Sequence, residues 1–292
     1  MKTVGVVANP TKSGVTQAMD SVSGWAGRHG LEVIADSVLA DQAPGSVPCV
    51  PPDELVERSE LVFACGGDGT LLRAVSLVAS RGRETPVIGV NLGSLGFLTQ
   101  IAEEELEGVL EALDPGDLPL SMRMMLTVSV KGSGHQDEGS TLALNDVVIS
   151  KGADSRMMTF EARVDGELVT RYAADGMILA TPSGSTAYSV SAGGPVVMPR
   201  VEAIVLTPIC PHTLSMRSCV IPPSVSIEVE MLSCDDRTVI STDGNRAFAL
   251  RDGDVVEVRR SDTRAVLVDV SGHSYYEILR KKMHWAGRVR ER

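Results

Sequence analysis

The chain has 292 residues, 43% of them hydrophobic and 22% charged, which is room for one large or two ordinary soluble domains with a sizeable core. Its net charge of −11 argues against a nucleic-acid partner, because basic residues gather only near the C-terminus, in Arg280-Lys281-Lys282 and Arg288-Val289-Arg290. The five cysteines make no Cys-x-x-Cys pair, the N-terminus lacks a signal-peptide core, and no apolar run nears the ~18 residues of a membrane span, so a cytoplasmic protein without a membrane partner is expected.

Val4 to Ala8 reads as a buried strand ending in the polar turn Asn9-Pro10-Thr11-Lys12. Val15 to Arg28 has helical periodicity, and Leu31 to Ile34 is a second strand. Gln42 to Pro52 holds four prolines and reads as a loop. Leu61 to Ala64 and Pro86 to Val90 are further strands, and Glu103 to Leu113 is a helix. Strands alternating with helices predict a parallel α/β sheet that binds ligands at the strands' C-terminal ends.

The pattern changes near Asp114-Pro115-Gly116-Asp117. Runs at Met124 to Val130, Leu142 to Ile149, Phe160 to Val164, Val225 to Met231, Val255 to Arg259 and Ala265 to Val270 predict strands. Gly132-Ser133-Gly134 is a turn, and Asp165-Gly166 and Asp252-Gly253 read as hairpin turns. Tyr275 to Trp285 is helical again. The expected organisation is an α/β domain over 1–118, a β-rich domain over 119–274, and a helix over 275–292 that returns to the first domain.

Cys65-Gly66-Gly67-Asp68-Gly69-Thr70 follows a buried strand and precedes the apolar-periodic run Leu71 to Val78. Glycines in such a turn admit a ligand to the backbone, and a helix start presents unpaired N–H groups to phosphate. Gly66, Gly67, Gly69 and Thr70 are therefore candidate phosphate ligands. A carboxylate among phosphate-binding amides repels the anion, so Asp68 is expected to meet a hydroxyl or a metal ion. Arg73, one turn further on, either returns to a phosphate or stays solvated. The spacing matches neither G-x-G-x-x-G nor a P-loop, and a strand-to-helix turn of this composition also occurs without a ligand.

Thr181-Pro182-Ser183-Gly184-Ser185-Thr186-Ala187-Tyr188 follows another apolar run and is dense in hydroxyls, with Ser189 and Ser191 just beyond. Such a loop suits recognition of a sugar, phosphate or base edge. No G-x-S-x-G is present, so Ser183 is a poor nucleophile. Asn145-Asp146 interrupts an apolar run, and its buried polar groups need partners from a ligand or a structural network. His212 and His273 are isolated, and no spacing suggests a protein-ligated metal.

Together Gly66 to Thr70, Asn91-Leu92-Gly93 through Gly96-Phe97-Leu98, Asn145-Asp146 and Asp175 to Gly194 resemble the NAD kinase family, with weaker matches at Asp243-Gly244-Asn245 and Trp285. The resemblance implies an α/β domain and a β-sandwich with the active site between them. It implies transfer of the γ-phosphoryl of ATP to the 2′-hydroxyl of the adenosine ribose of NAD, giving NADP. Asp68 would be the base, and Gly69 and its neighbours would hold phosphates. Asn145 and Asp146 would bond the ribose and adenine side, and Thr186, Ala187, Tyr188 and Ser191 would line the adenine pocket. Asp175 would face the nicotinamide end, from a neighbouring subunit of a homodimer or homotetramer. Arg156 and Asn245 fall at further ligand contacts. Mg²⁺ would be held mainly by phosphates and water. Ala173 stands where NAD-specific members carry Arg and members that accept NADH tend to carry a small residue. Inorganic polyphosphate is an alternative donor. A lipid or sugar kinase with the same glycine-rich turn, or a non-catalytic NAD(P) sensor, are the rival readings.

Overall fold

The structure is a computed structural model. It describes all residues except 100, 133–138, 153–155, 214, 271, 273 and 286–292. The predicted turn at Ser133-Gly134, His273 and the basic run from Arg288 lie outside the described residues. The chain divides into two compact units, Met1–Met122 with Ala265–Arg292, and Arg123–Arg264.

The first unit runs β1 (Thr3–Ala8), α1 (Val15–Arg28), β2 (Glu32–Asp36), β3 (Cys49–Val50), α2 (Pro52–Arg58), β4 (Leu61–Gly66), α3 (Asp68–Ala79), β5 (Val87–Asn91), β6 (Ile101–Ala102), α4 (Leu106–Ala112) and β7 (Leu120–Arg123). The second runs β8 (Leu126–Lys131), β9 (Ser140–Ala143), β10 (Asp146–Ser150), β11 (Met158–Val164), β12 (Glu167–Ala174), β13 (Gly176–Ala180), α5 (Tyr188–Ser191), β14 (Ile204–Ile209), β15 (Cys219–Ile221), β16 (Ile227–Ser233), β17 (Val239–Thr242), β18 (Asn245–Ala249) and β19 (Val255–Arg260). The chain then rejoins the first unit with β20 (Ala265–Val268) and α6 (Tyr275–Lys282).

The first unit's sheet has the order β3-β2-β1-β4-β5-β20-β7, with β6 beside β5. Strands β1 to β6 and β20 pair in parallel. Every residue of β1, β4 and β5 is buried, as expected of parallel strands covered on both faces. Trp25 on α1 packs edge-on to Phe63 on β4, and its indole N–H donates to the Leu113 carbonyl at 3.2 Å. Strand order reverses between β1 and β4, so the C-terminal ends of these two strands flank the crevice where such sheets bind ligands.

The second unit is a sandwich of two antiparallel six-stranded sheets, ordered β15-β14-β13-β10-β17-β18 and β12-β11-β16-β19-β8-β9. Alternate residues of β8 (Leu126, Val128, Val130) and β16 (Ile227, Val229, Met231) face Ile149, Leu179, Leu206 and Ile240 of the other sheet in one core. Strand β13 is buried throughout because Val197 and Ile209 cover its second face with Ile178 and Ala180.

Several expectations are corrected here. The proline-rich stretch contains β3 and ends in α2, with Pro52 at a first-turn position where its missing N–H costs nothing. The run Leu142 to Ile149 is two strands, broken at Leu144-Asn145. Asp252-Gly253 links β18 to β19 in different sheets, so it is no hairpin. The two-residue hairpin is instead Asp243-Gly244, whose φ values of 50° and 80° match those of Asp165-Gly166, 49° and 82°. Strand β20, expected in the β-rich segment, pairs Leu267 with Val87 in the first unit.

Candidate active site

In the first unit, β1 ends at Ala8 and β4 at Gly66, and a cavity of about 550 Å³ opens over both ends. Ala8, Asn9, Pro10 and Lys12 line one side, Val38 another, and Gly67, Gly69, Thr70 and Arg73 a third. The Asn9 side chain accepts from the Thr11 amide and hydroxyl, which fixes the turn that carries Lys12. Helix α3 starts at Asp68, and the amides of Asp68 and Gly69 have no backbone acceptor among the described residues. A Cβ added at Gly67 or Gly69 would meet nothing within 4 Å, whereas one at Gly66 would strike the Thr70 side chain. Thus the fold itself requires glycine at 66, while the bareness of 67 and 69 leaves room for a ligand. Cys65 is fully buried, which pushes its thiol up to about 12 and makes it inert.

The Asp68 carboxylate turns away from this cavity's amides. Its Oδ2 accepts from the Phe97 amide at 2.8 Å. Its Oδ1 accepts from the amides of Leu98 (3.1 Å) and Thr99 (2.9 Å) and from the Thr99 hydroxyl (2.9 Å). Gly96 makes this possible, since a Cβ there would lie 1.9 Å from Oδ1. Arg73 lines the cavity, but its guanidinium is paired with the fully buried Asp36 at the end of β2. Asp36 also accepts from the Val38 amide, so one carboxylate ties Arg73 to the Val38 side of the cavity.

In the second unit, Asn145 and Asp146 sit at the break before β10. The hairpin turn supplies Asp243, whose carboxylate accepts the amides of Leu144 (2.8 Å), Asn145 (2.7 Å) and Asp146 (3.2 Å). The hydroxyl-rich loop packs on the same break. The Thr181 hydroxyl donates to the Leu144 carbonyl, the Thr181 amide to the Asn145 carbonyl, and a Cβ at Gly184 would come within 2.0 Å of the Asn145 carbonyl oxygen. The Tyr188 amide donates to the Asp146 carboxylate. Burial and the neighbouring Asp243 charge nevertheless push Asp146 up to about 7, and burial also raises Asp243. Among the described residues the buried Asn145 Oδ1 has no hydrogen-bond partner.

Family profiles match both units. The ATP-NAD kinase N-terminal domain matches residues 4–117 and the ATP-NAD kinase C-terminal domain residues 144–270. The chain belongs to the NAD kinase family. It is 42% identical over 291 residues to the NAD kinase of Geobacter sulfurreducens, covering 99% of this chain and 100% of that one. It is 40% identical over 283 residues to that of Caldanaerobacter subterraneus subsp. tengcongensis, covering 97% and 99%. Among solved structures it resembles yeast NADH kinase complexed with NADH, with a TM-score of 0.88 and 26% identity over 100% of this chain and 90% of that one. It also resembles an NAD kinase from Archaeoglobus fulgidus in complex with ATP, with a TM-score of 0.75 and 28% identity over 97% and 98%.

Of the residues anticipated from the NAD kinase resemblance, Gly66, Gly67, Asp68, Gly69, Thr70 and Arg73 gather in the first unit. Asn145, Asp146, Thr186, Ala187 and Tyr188 gather in the second. Thr186 is buried, while Tyr188 and Ser191 are exposed. Asp175 pairs with Lys151 at 2.8 Å, and Arg156 and Asn245 are exposed. The hydroxyl that Asp68 meets among the described residues belongs to Thr99. Sequence reasoning missed Asn9, Lys12, Asp36, Thr99, Lys151 and the clamp formed by Asp243. The polar turn directly after β1 was the one signal that pointed to Lys12.

Proposed function

We propose that this member of the family transfers the γ-phosphoryl of ATP to the 2′-hydroxyl of the adenosine ribose of NAD, making NADP. The observation that carries this reading is the pairing of bare glycines at a helix start with a carboxylate held apart from them. In this reading Lys12, Arg73 and the amides of Asp68 and Gly69 take the donor's phosphates, and the cavity lined by Gly67 and Gly69 holds them. Asn145 and Asp146 hydrogen-bond the ribose and adenine side of NAD, with Thr186, Ala187, Tyr188 and Ser191 around the adenine. Asp68 takes the proton of the 2′-hydroxyl as its oxygen attacks the γ-phosphorus, and the bond to the bridging oxygen breaks to release ADP.

A divalent cation such as Mg²⁺ belongs to this reaction. In this reading the ion is held mainly by the phosphates and water. When bound it would neutralise phosphate charge. The five cysteines are free thiols, which supports placing the protein in a reducing cytoplasm. The edge strands of the two sandwich sheets expose Leu168, Val169 and Val220, which supports self-association as a dimer or tetramer. Ala173 and the likeness to an NADH kinase favour NADH as a second acceptor.

Incubating the protein with NAD, ATP and Mg²⁺ and assaying NADP tests the reaction, and NADH and polyphosphate arms test the specificities. Asp68→Asn should lower kcat by about 10²–10⁴-fold while NAD still binds. Normal turnover of that variant would remove Asp68 from the chemistry.

A further inference from the structure

The two oxygens of Asp68 are not equivalent. Among the described residues Oδ1 accepts three hydrogen bonds and Oδ2 one. Only one of the four donors is a side chain, the Thr99 hydroxyl, and its direction is fixed by a further residue. Asn91 Nδ2 lies 2.9 Å from Thr99 Oγ1 and 2.7 Å from the Ser94 carbonyl oxygen. The amide orientation follows from the second contact, because an amide oxygen facing a carbonyl oxygen at that distance would be repelled. Asn91 therefore donates to Thr99, and the single hydroxyl hydrogen of Thr99 is left for Asp68 Oδ1.

The elements hold this chain of donors rigidly. Asn91 closes β5 and is paired in register with Gly66, the last residue of β4, one step before the turn into Asp68. Thr99 is fully buried and Asn91 is 2% exposed, so water does not compete for either group. Gly89 and Gly96 leave the space. A Cβ at Gly89 would press on the Thr99 backbone at 3.1 Å, and one at Gly96 would lie 2.5 Å from the Thr99 hydroxyl. In such a setting a fully satisfied polar chain confers rigidity on its last member.

We infer that Asn91 and Thr99 are positioning residues for Asp68: they saturate Oδ1 and aim Oδ2, the oxygen with an open lone pair, as the atom that accepts the 2′-hydroxyl proton. This rests on the reading of Asp68 as the base. The proton moves from the ribose hydroxyl to Oδ2, the freed electron pair forms the new P–O bond, and the bond to the departing ADP oxygen breaks. Without the Thr99 hydroxyl, Oδ1 keeps its two amides but the carboxylate plane can turn, and a misplacement of about 1 Å can slow the reaction by about 10²-fold.

The test compares Thr99→Val, Thr99→Ser, Thr99→Ala and Asp68→Asn in the full chain, reading kcat, the KM of NAD and of ATP, and the Tm. Thr99→Val should lose about tenfold in kcat with both KM values within twofold. Thr99→Ser should recover most of that loss. Thr99→Ser and Thr99→Ala lack the same methyl, so their ratio isolates the hydroxyl even where Val packs badly, and it should again be about tenfold. Equal kcat for Ser and Ala, or a loss carried by KM alone, overturns the inference and leaves Thr99 as packing. Unchanged turnover of Asp68→Asn overturns the reading of the base, and the inference with it. A slow Asp68→Asn beside a normal Thr99→Ala overturns the inference alone.

Discussion

Two glycines beside Asp68, one in the first turn of α3 and one in the loop after β5, should respond to alanine in opposite ways. Gly69 lies in the first turn of α3, where a Cβ meets nothing within 4 Å. Alanine there should stabilise the folded chain by about 0.5 kcal/mol, because it restricts the unfolded backbone and favours the helix. The Tm should rise by about 1–2 °C. The same methyl enters the cavity lined by Lys12 and Arg73, where the donor's phosphates are proposed to lie. The KM of ATP should rise at least about tenfold, the equivalent of ~1.4 kcal/mol of lost binding. Gly96 is the contrast. Its added Cβ would sit 1.9 Å from Asp68 Oδ1 and 2.5 Å from the Thr99 hydroxyl, so the carboxylate must leave its amides. Losing hydrogen bonds to a charged group costs about 2–4 kcal/mol here, and misplacing the base lowers kcat by about 10²-fold. Both variants are read by thermal unfolding and by steady-state NADP formation with ATP varied. A Gly69→Ala protein that is stable and keeps its KM for ATP within twofold refutes the placement of the phosphates. A Gly96→Ala protein with normal kcat refutes the account of the Asp68 clamp.

Among the described residues Arg73→Ala leaves the fully buried Asp36 with the Val38 amide and the Ser37 hydroxyl but no cation, and should cost about 2 kcal/mol in urea unfolding; the half-exposed arginine keeps the figure low, and a loss under about 0.5 kcal/mol would contradict the pairing. Asp146 holds its proton up to about pH 7 when folded, against 3.8 ordinarily, so its contribution is fully present below the unfolded pKa and is lost as pH rises through about 7. Unfolding free energy should therefore fall between about pH 4 and 7 and level off above that, with a slope approaching ~1.4 kcal/mol per pH unit, and Asp146→Asn should flatten that slope. Gly184→Ala drives a Cβ to within 2.0 Å of the Asn145 carbonyl oxygen, which is backbone and cannot swing aside. Calorimetry should find a destabilisation of about 3 kcal/mol and weakened NAD binding, and wild-type values for both would show that the loop does not pack on Asn145 as described.

The fold was legible wherever one face or one run was apolar. Val15 to Arg28 read as a helix because its buried positions recur at helical spacing, and the helix has those bounds. Strands β1, β4 and β5 read as buried runs because parallel strands need no alternation. Strand β3 and helix α2 escaped because prolines dominate Gln42 to Pro52, and proline both breaks a helix and opens one. The Asp-Gly signals at 165, 243 and 252 are the same dipeptide. Only pairing register tells a hairpin from a crossover between sheets, and register is a long-range property.

The site was legible where its chemistry is local in sequence, and opaque where a distant segment completes it. Asp243 clamps Asn145 from 98 residues away, and no short pattern announces that. Asp68 posed a sharper problem. A carboxylate and an anion site should not share one helix start, and the sequence offered only an external hydroxyl or a metal as the way out. The structure separates them by giving each its own amides. Among the described residues those of Asp68 and Gly69 have no backbone acceptor, while residues 97–99 lend three others to the carboxylate. That arrangement needs a loop that approaches α3 closely, which accounts for glycine at 96, and a polar strand end to orient it, which accounts for Asn91. The glycine-rich turn and the later Asn91-to-Thr99 stretch are then one device in two pieces: the first is where the donor's phosphates are proposed to lie, and the second holds the Asp68 carboxylate on amides of its own.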